Sequence, residues 1–233
     1  MRLNKFIAQS GECSRRQADS YVLEGMVTVN GTLQLNPAYQ VSESDEVRFD
    51  GRRIYPEHKI RTILLNKPEG YITTMKDPQG RKTVIDLINS SERLFPIGRL
   101  DKDTSGLLLL TNNGNLANLL MHPRNKIERI YELELDSPFE SWEKRKIMKK
   151  VYIGQKEWGR AEVMHQKKIK GRAIVQLKLL QGKKREVRRI VYRMKKTLYS
   201  LKRVQFGPIK LDNTPLGSFR DLSENELIKL QNM

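Results

Sequence analysis

Apolar positions along this chain fall in short groups whose spacing switches between the helical and the strand period. Leu3, Phe6 and Ile7 recur at i, i+3 and i+4, which predicts a short helix that Gly11 closes. Ser14 and Gln17 stand at capping-box spacing ahead of Ala18, Tyr21 and Val22, predicting a second helix that ends at Gly25. Val27 and Val29 alternate with polar residues up to the hairpin pair Asn30-Gly31, and residues 46–49 make a further strand running into Asp50-Gly51. Two short helices and a few strands define a small unit over residues 1–51. Residues 52–59, RRIYPEHK, show no apolar period and are expected to be a linker.

From residue 60 to 233 short strands alternate with helices. The run Ile63, Leu64, Leu65, Asn66 stops at Lys67-Pro68-Glu69-Gly70, a turn. Tyr131, Leu133 and Leu135 share one face of a period-two strand, and residues 173–180 form another that ends at Gln181-Gly182. Leu116, Leu119 and Leu120 predict a helix that Pro123 terminates, and Ser223 with Glu226 caps a last helix carrying Leu227 and Leu230. Few long helices among these strands indicate an α+β domain around a mixed sheet. The most regular helix is predicted at 184–194. Val187, Ile190, Val191 and Met194 form its apolar face, with Arg185, Arg188, Arg189 and Tyr192 opposite.

Charge narrows the field. Lys and Arg number 44 against 27 Asp and Glu, a net +17 in 233 residues, and the excess is clustered at 144–150, 167–168 and 183–189. Such an imbalance answers a polyanion, and with no amphipathic anchor nucleic acid is expected rather than membrane. The longest unbroken leucine run is Leu107 to Leu110, far short of the ~18 apolar residues of a membrane span. The polar N-terminus does not read as a signal peptide. The single cysteine, Cys13, excludes an intrachain disulfide and a thiolate cluster, so a reducing, cytoplasmic setting is expected. Arg15 and Arg16 occupy the first turn of the second helix, where cations oppose the dipole; an adjacent phosphate accounts for them, and so does a plain exposed turn.

Most catalytic constellations are missing. His58, His122 and His165 are dispersed and lack ligand spacing, so no metal site is expected, and there is no Walker loop, nucleophile elbow or dinucleotide fingerprint. Asp101 and Asp103 would suit magnesium, but no further carboxylate cluster accompanies them. What stands out is FPIGRLDKDTSGLLLLTNNGN, residues 95–115, in which Arg99-Leu100-Asp101 precedes the leucine run. A carboxylate beside such a run is costly to desolvate unless chemistry depends on it. One Asp without a second carboxylate suits an isomerisation better than a hydrolysis.

Gly98-Arg99-Leu100-Asp101 resembles the signature of the RNA pseudouridine synthases. So do 65–71, 120–123, Ile130-Tyr131, the 181–189 stretch QGKKREVRR, and Pro215-Leu216-Gly217 with Leu222-Ser223, all in order along the chain. The likeness is to the RsuA/RluB/RluE/RluF family, and CSRRQADSYVLEGMVTVNG resembles the S-four (alpha-L) RNA-binding domain. The resemblance implies that small domain followed by a catalytic domain with a mixed, mainly antiparallel sheet, acting as a monomer on ribosomal RNA without metal or organic cofactor. It implies Asp101 as the residue that starts glycosidic cleavage, by attack at the sugar or removal of the 2′ proton. Tyr131 is implied under the target base, and Arg188 paired with Asp101. Arg15, Arg16, Arg99, Lys67, Arg185 and Arg189 are implied as RNA contacts. Large-subunit RNA is the expected target, with the RsuA-type small-subunit RNA as the alternative. A non-catalytic ribosome-assembly factor would lack Asp101, Tyr131 or Arg188, and all three are present. A DNA-binding regulator would need a helix-turn-helix pair that is not found.

Overall fold

The computed structural model describes residues 1–56 and 59–233, which separate into two units. The first comprises Met1–Arg61 with Ser90–Leu94 and Asn112–Gly114; the second comprises Thr62–Asn89, Phe95–Thr111 and Asn115–Met233.

In the first unit, α1 (Leu3–Gln9) and α2 (Arg15–Leu23) pack on a sheet of order β2-β1-β3-β4. Its strands are β1 (Val27–Val29), β2 (Thr32–Leu33), β3 (Val47–Phe49) and β4 (Arg52–Arg53). The helical and strand periods converge on one core: Leu3, Ile7, Ala18, Val22, Val27 and Val47 are all buried in it. Cys13 is packed in the same core, and burial pushes its thiol up. The Ser14–Gln17 capping box closes as expected. Both hairpins turn on two successive residues at positive φ, Asn30-Gly31 and Asp50-Gly51, whose twist matches that of paired strands.

That second turn corrects the expected linker. Because Asp50-Gly51 reverses the chain, Arg52 and Arg53 pair with Phe49 and Arg48 as β4, and Ile54 is buried in the core. The first three residues of the stretch 52–59 therefore pair and pack within the small unit, which runs to Arg61. Glu57 and His58 lie outside the described residues.

The second unit is built on a nine-stranded sheet of order β11-β12-β8-β13-β7-β5-β15, with β6 added beside β7 and β14 beside β13. In chain order these are β5 (Thr62–Lys67), β6 (Phe95–Ile97), β7 (Ser105–Thr111), β8 (Arg129–Leu135), β11 (Glu162–Ile169), β12 (Arg172–Leu179), β13 (Leu198–Phe206), β14 (Ile209–Lys210) and β15 (Phe219–Asp221). A separate hairpin is formed by β9 (Val151–Gly154) and β10 (Glu157–Gly159). The helices are α3 (Gly114–Met121), α4 (Ser141–Lys149), α5 (Glu186–Arg193) and α6 (Glu224–Gln231). Pairing is antiparallel throughout except between β13 and β7. The sheet is thus mixed and mainly antiparallel, the expected α+β class.

Two cores flank the parallel joint. One gathers Leu133, Leu135, Val175 and Leu177 of β8 and β12 under Ile147 of α4 and Ile190 and Val191 of α5. The other gathers Leu64, Leu107 and Leu109 with Leu116 and Leu120 of α3 and Leu230 of α6. Each such leucine or isoleucine contributes roughly 1.5–3 kcal/mol by leaving water. At the joint, Gly106 of β7 lies against Arg203 of β13, and a Cβ on Gly106 would stand 2.2 Å from the Arg203 carbonyl oxygen. Its φ of +102° also excludes most side chains.

Two measurements test this account. Gly106→Ala should lose roughly 3 kcal/mol or more in urea unfolding, because neither backbone can retreat without breaking the strand pair; a shift below a third of that would mean the joint is loose. In the α6 cap, Arg220 clasps Glu226 with two bonds of 2.8 Å and the Ser223 amide adds one of 2.9 Å. Those contacts hold the Glu226 carboxyl down at about 2, against an ordinary 4.5, despite the opposing pull of burial. A depressed carboxylate stabilises fully above its unfolded value and loses that contribution as pH falls through the folded one. The stability gap between the parent and Glu226→Gln should therefore shrink between pH 4.5 and about 2, and a gap independent of pH would contradict the pairing.

Candidate active site

Between β6 and β7 the chain runs through Gly98-Arg99-Leu100-Asp101-Lys102-Asp103-Thr104, a loop held from inside by its backbone. Lys67, the last residue of β5, is fully buried. Its ammonium donates to the carbonyls of Thr104 at 2.8 Å, Pro68 at 3.0 Å, Asp101 at 3.1 Å and Lys102 at 3.5 Å. Burial pushes that ammonium down to about 8, partly offset by the charges of Glu69, Asp103 and Asp101. The Thr73 hydroxyl donates to the Leu100 carbonyl at 2.8 Å and accepts from the Leu100 amide at 3.2 Å. Gly70 donates its amide to Lys102. Leu100 is buried, so the loop is pinned on both sides of Asp101 while the Asp101 side chain keeps 35% of its surface.

The carboxylate lies on the wall of a cavity of about 650 Å³. Tyr131, Arg188, Arg99 and Arg185 line the same cavity, so four sequence-predicted residues meet Asp101 there. Tyr131 continues the face of Leu133 and Leu135 but sits at the end of the buried stripe, half exposed into the cavity. Asp101 and Glu186 are outnumbered on this wall by arginines and lysines, which favours an anionic occupant.

The cations are not distributed as the helical pattern predicts. Arg185 has φ +51° and precedes α5 rather than continuing its face. Freed from the helix, its guanidinium reaches the loop, 3.5 Å from the Asp101 carboxylate and 3.3 Å from both oxygens of Asp103. Arg188, nearly a turn further on, meets Asp103 and Thr104: Nη2 donates to the Asp103 carbonyl, lies 3.2 Å from its carboxylate and 3.3 Å from Thr104 Oγ1. The partner of Asp101 is therefore Arg185 and not Arg188 as expected. Burial raises the Asp103 carboxyl, but the hydrogen bonds of Arg185 and the charges of both arginines leave it below the usual range. Asp101 and Asp103 share the Arg185 guanidinium.

Two expected RNA contacts are corrected. Lys67 has no exposed surface, and its donors are spent on the loop. Arg189 gives Nε to the Ile153 carbonyl at 2.7 Å, Nη2 to Gly154 at 2.7 Å and Nη1 to Glu157 at 2.5 Å, so it fastens the β9–β10 hairpin to α5. Arg99, Arg185, Arg15 and Arg16 remain exposed, the last two on the first turn of α2 in the small unit.

Arg203 and Arg129, which the sequence pattern did not single out, also line the cavity. Arg203 is 2% exposed, donates Nε to the Leu107 carbonyl at 2.7 Å, and leaves Nη2 buried without a partner. Both guanidiniums stand 5.2 Å from the Phe206 ring, and Arg129 is lowered by burial and by the neighbouring charge of Arg203. The available signal was the spacing of Leu201 and Arg203, which puts an arginine where a strand side chain faces the core.

The profile of the RNA pseudouridylate synthases matches residues 61–192, which hold this loop, Tyr131 and most of α5. The chain belongs to that family. An S4 domain matches residues 1–47 of this synthase. It is 35% identical over 232 residues to the dual-specificity RNA pseudouridine synthase RluF of Escherichia coli, covering 99% of this chain and 78% of that one. To the ribosomal large subunit pseudouridine synthase B of Bacillus subtilis it is 36% identical over 233 residues, covering 99% and 95%. A crystal structure of a pseudouridylate synthase superposes with a TM-score of 0.70 at 26% identity, over 99% of both chains. This pseudouridine synthase is accordingly an isomerase with an S4 domain at its N-terminus.

Lys67→Met removes the ammonium and leaves the carbonyls of the loop without it. The synthase variant should lose roughly 3 kcal/mol in urea unfolding and most of its turnover; an unchanged midpoint with full activity would show that the loop holds itself.

Proposed function

We propose that this synthase converts a uridine of ribosomal RNA to pseudouridine, with the large-subunit RNA as its target. The reaction breaks the N1–C1′ bond, forms a C5–C1′ bond and moves one proton from C5 to N1. Composition is unchanged, so the reaction consumes no co-substrate. Asp101 begins it, at the sugar carbon or the 2′ proton, from a loop whose backbone cannot drift. Arg185 orients its carboxylate, and Arg188 holds the loop through Asp103 and Thr104. Tyr131 stacks under the flipped base, and Arg99 takes a backbone phosphate at the cavity mouth. Extrusion of the uridine costs a few kcal/mol, which the basic wall and the arginines of the S4 domain offset.

The observation that carries this reading is the meeting of Asp101, Tyr131 and a surplus of cations around one cavity. The large-subunit assignment is supported by the large-subunit activity named for the Bacillus relative. The dual-specificity name of the Escherichia relative favours a second RNA class as the next reading. A cytoplasmic monomer accords with such a substrate, and among the described residues no helix is long and apolar enough to cross a membrane.

Carbodiimide mapping of pseudouridine in ribosomal RNA, from cells with and without the gene, tests the proposal. One large-subunit position should lose its signal and regain it with the parent protein but not with Asp101→Asn. In purified form that variant should lose at least about a thousandfold in rate while its affinity for RNA stays within about threefold. Restoration of the modification by Asp101→Asn would overturn the role of Asp101, and an unchanged large-subunit map would overturn the target.

A further inference from the structure

Away from the cavity floor, the β9–β10 hairpin carries two large aromatic residues that the fold does not bury. Trp158 and Tyr152 keep 47% and 42% of their surface. Their ring centroids are 5.4 Å apart at an interplanar angle of 64°, so the pair forms an angled ledge rather than a closed stack. Cations flank both rings: the Lys150 ammonium lies 4.8 Å from the Trp158 centroid and the Arg193 guanidinium 5.5 Å from that of Tyr152. Exposed aromatic surface bordered by positive charge has the chemistry of a single-stranded nucleic-acid platform, where any base finds a π-face and the backbone finds counter-charge.

The ledge is rigid and placed. Arg189 bolts Ile153, Gly154 and Glu157 to α5, and Gly159 packs so closely on Ile190 that a Cβ there would stand 2.9 Å from it. Lys183, which lines the cavity with Asp101, donates its ammonium to the Trp158 carbonyl. Cavity wall and ledge are therefore joined through one lysine. As a cross-strand pair the two rings help hold the hairpin, yet 47% and 42% of their surface stays open to a partner.

We infer that Trp158 and Tyr152, with Lys150 and Arg193, form a stacking platform for unpaired nucleotides that flank the target uridine in the substrate RNA. This rests on the proposed action on RNA. The platform takes up a neighbouring base whose stacking is lost when the uridine leaves the helix, and so shares the cost of extrusion.

The chain has two tryptophans, so Trp142→Phe leaves Trp158 as the sole reporter. Titration of that full-length variant with a single-stranded dodecauridylate should quench its emission, and an RNA duplex of equal length should quench it much less. Trp158→Leu should raise the Kd for the same oligonucleotide at least about fivefold, and Trp158→Phe should recover most of the loss. Absence of quenching, or an unchanged Kd in a Trp158→Leu protein that folds, would overturn the platform. If Trp158→Leu fails to fold, the quenching alone decides. Pseudouridine formation by the parent on ribosomal RNA is assayed in parallel. Quenching without conversion supports the platform and removes the ribosomal target, whereas conversion with no quenching removes the platform and leaves the target standing.

Discussion

A lysine ammonium without any exposed surface is an expensive thing for a protein to keep, and the loop from Gly98 to Thr104 depends on it. Lys67 gives up hydration entirely and receives four carbonyl oxygens in return. Three of those carbonyls belong to residues 101–104, so the loop is fastened by its backbone and its side chains are left free for other work. Thr73 repeats the device one residue earlier, at Leu100. In the proposed reaction, preorganisation of this kind would let the Asp101 carboxylate act without reorganising its surroundings.

Arginine is used in four ways within a short distance of that loop, and backbone geometry decides which. Arg185 lies outside the helix and reaches both aspartates. Arg188, within the helix, holds the loop through Asp103 and Thr104. Arg189, its immediate neighbour, serves the β9–β10 hairpin. Arg203 stands in the sheet and lines the cavity with one guanidinium nitrogen buried and unsatisfied. Identical chemistry thus yields a carboxylate partner, a loop clamp, a structural bolt and a recessed donor.

Much of the architecture was legible where local rules dominate. The capping boxes at Ser14 and Ser223, the hairpin at Asn30-Gly31 and the stripe from Val187 to Val191 are set by neighbours a few residues away, and all are present. Arg52 and Arg53 were misread because a strand of two residues carries no period of its own; its pairing follows from the turn before it. The grouping of the candidate residues was legible and their pairings less so. Asp101, Tyr131 and Arg188 do share a cavity, but which arginine faces which aspartate turns on the left-handed conformation at Arg185, which no side-chain spacing reveals. Lys67 looked like a surface cation in a turn motif because its burial is imposed by β7 and the loop, both distant in sequence.

The parallel joint has a consequence for how the molecule comes into being. Arg203 donates to Leu107 across 96 positions of chain, and the cavity is lined by Leu201, Arg203 and Phe206 of β13 together with the loop that leads into β7. Contacts so remote in sequence form late, after the entropy of closing a long loop has been met. The aspartate loop and the recessed guanidinium come together only after β13 has left the translating ribosome and docked. A nascent chain still tethered short of that point carries the S4 domain and Asp101 but lacks the β13 side of the cavity.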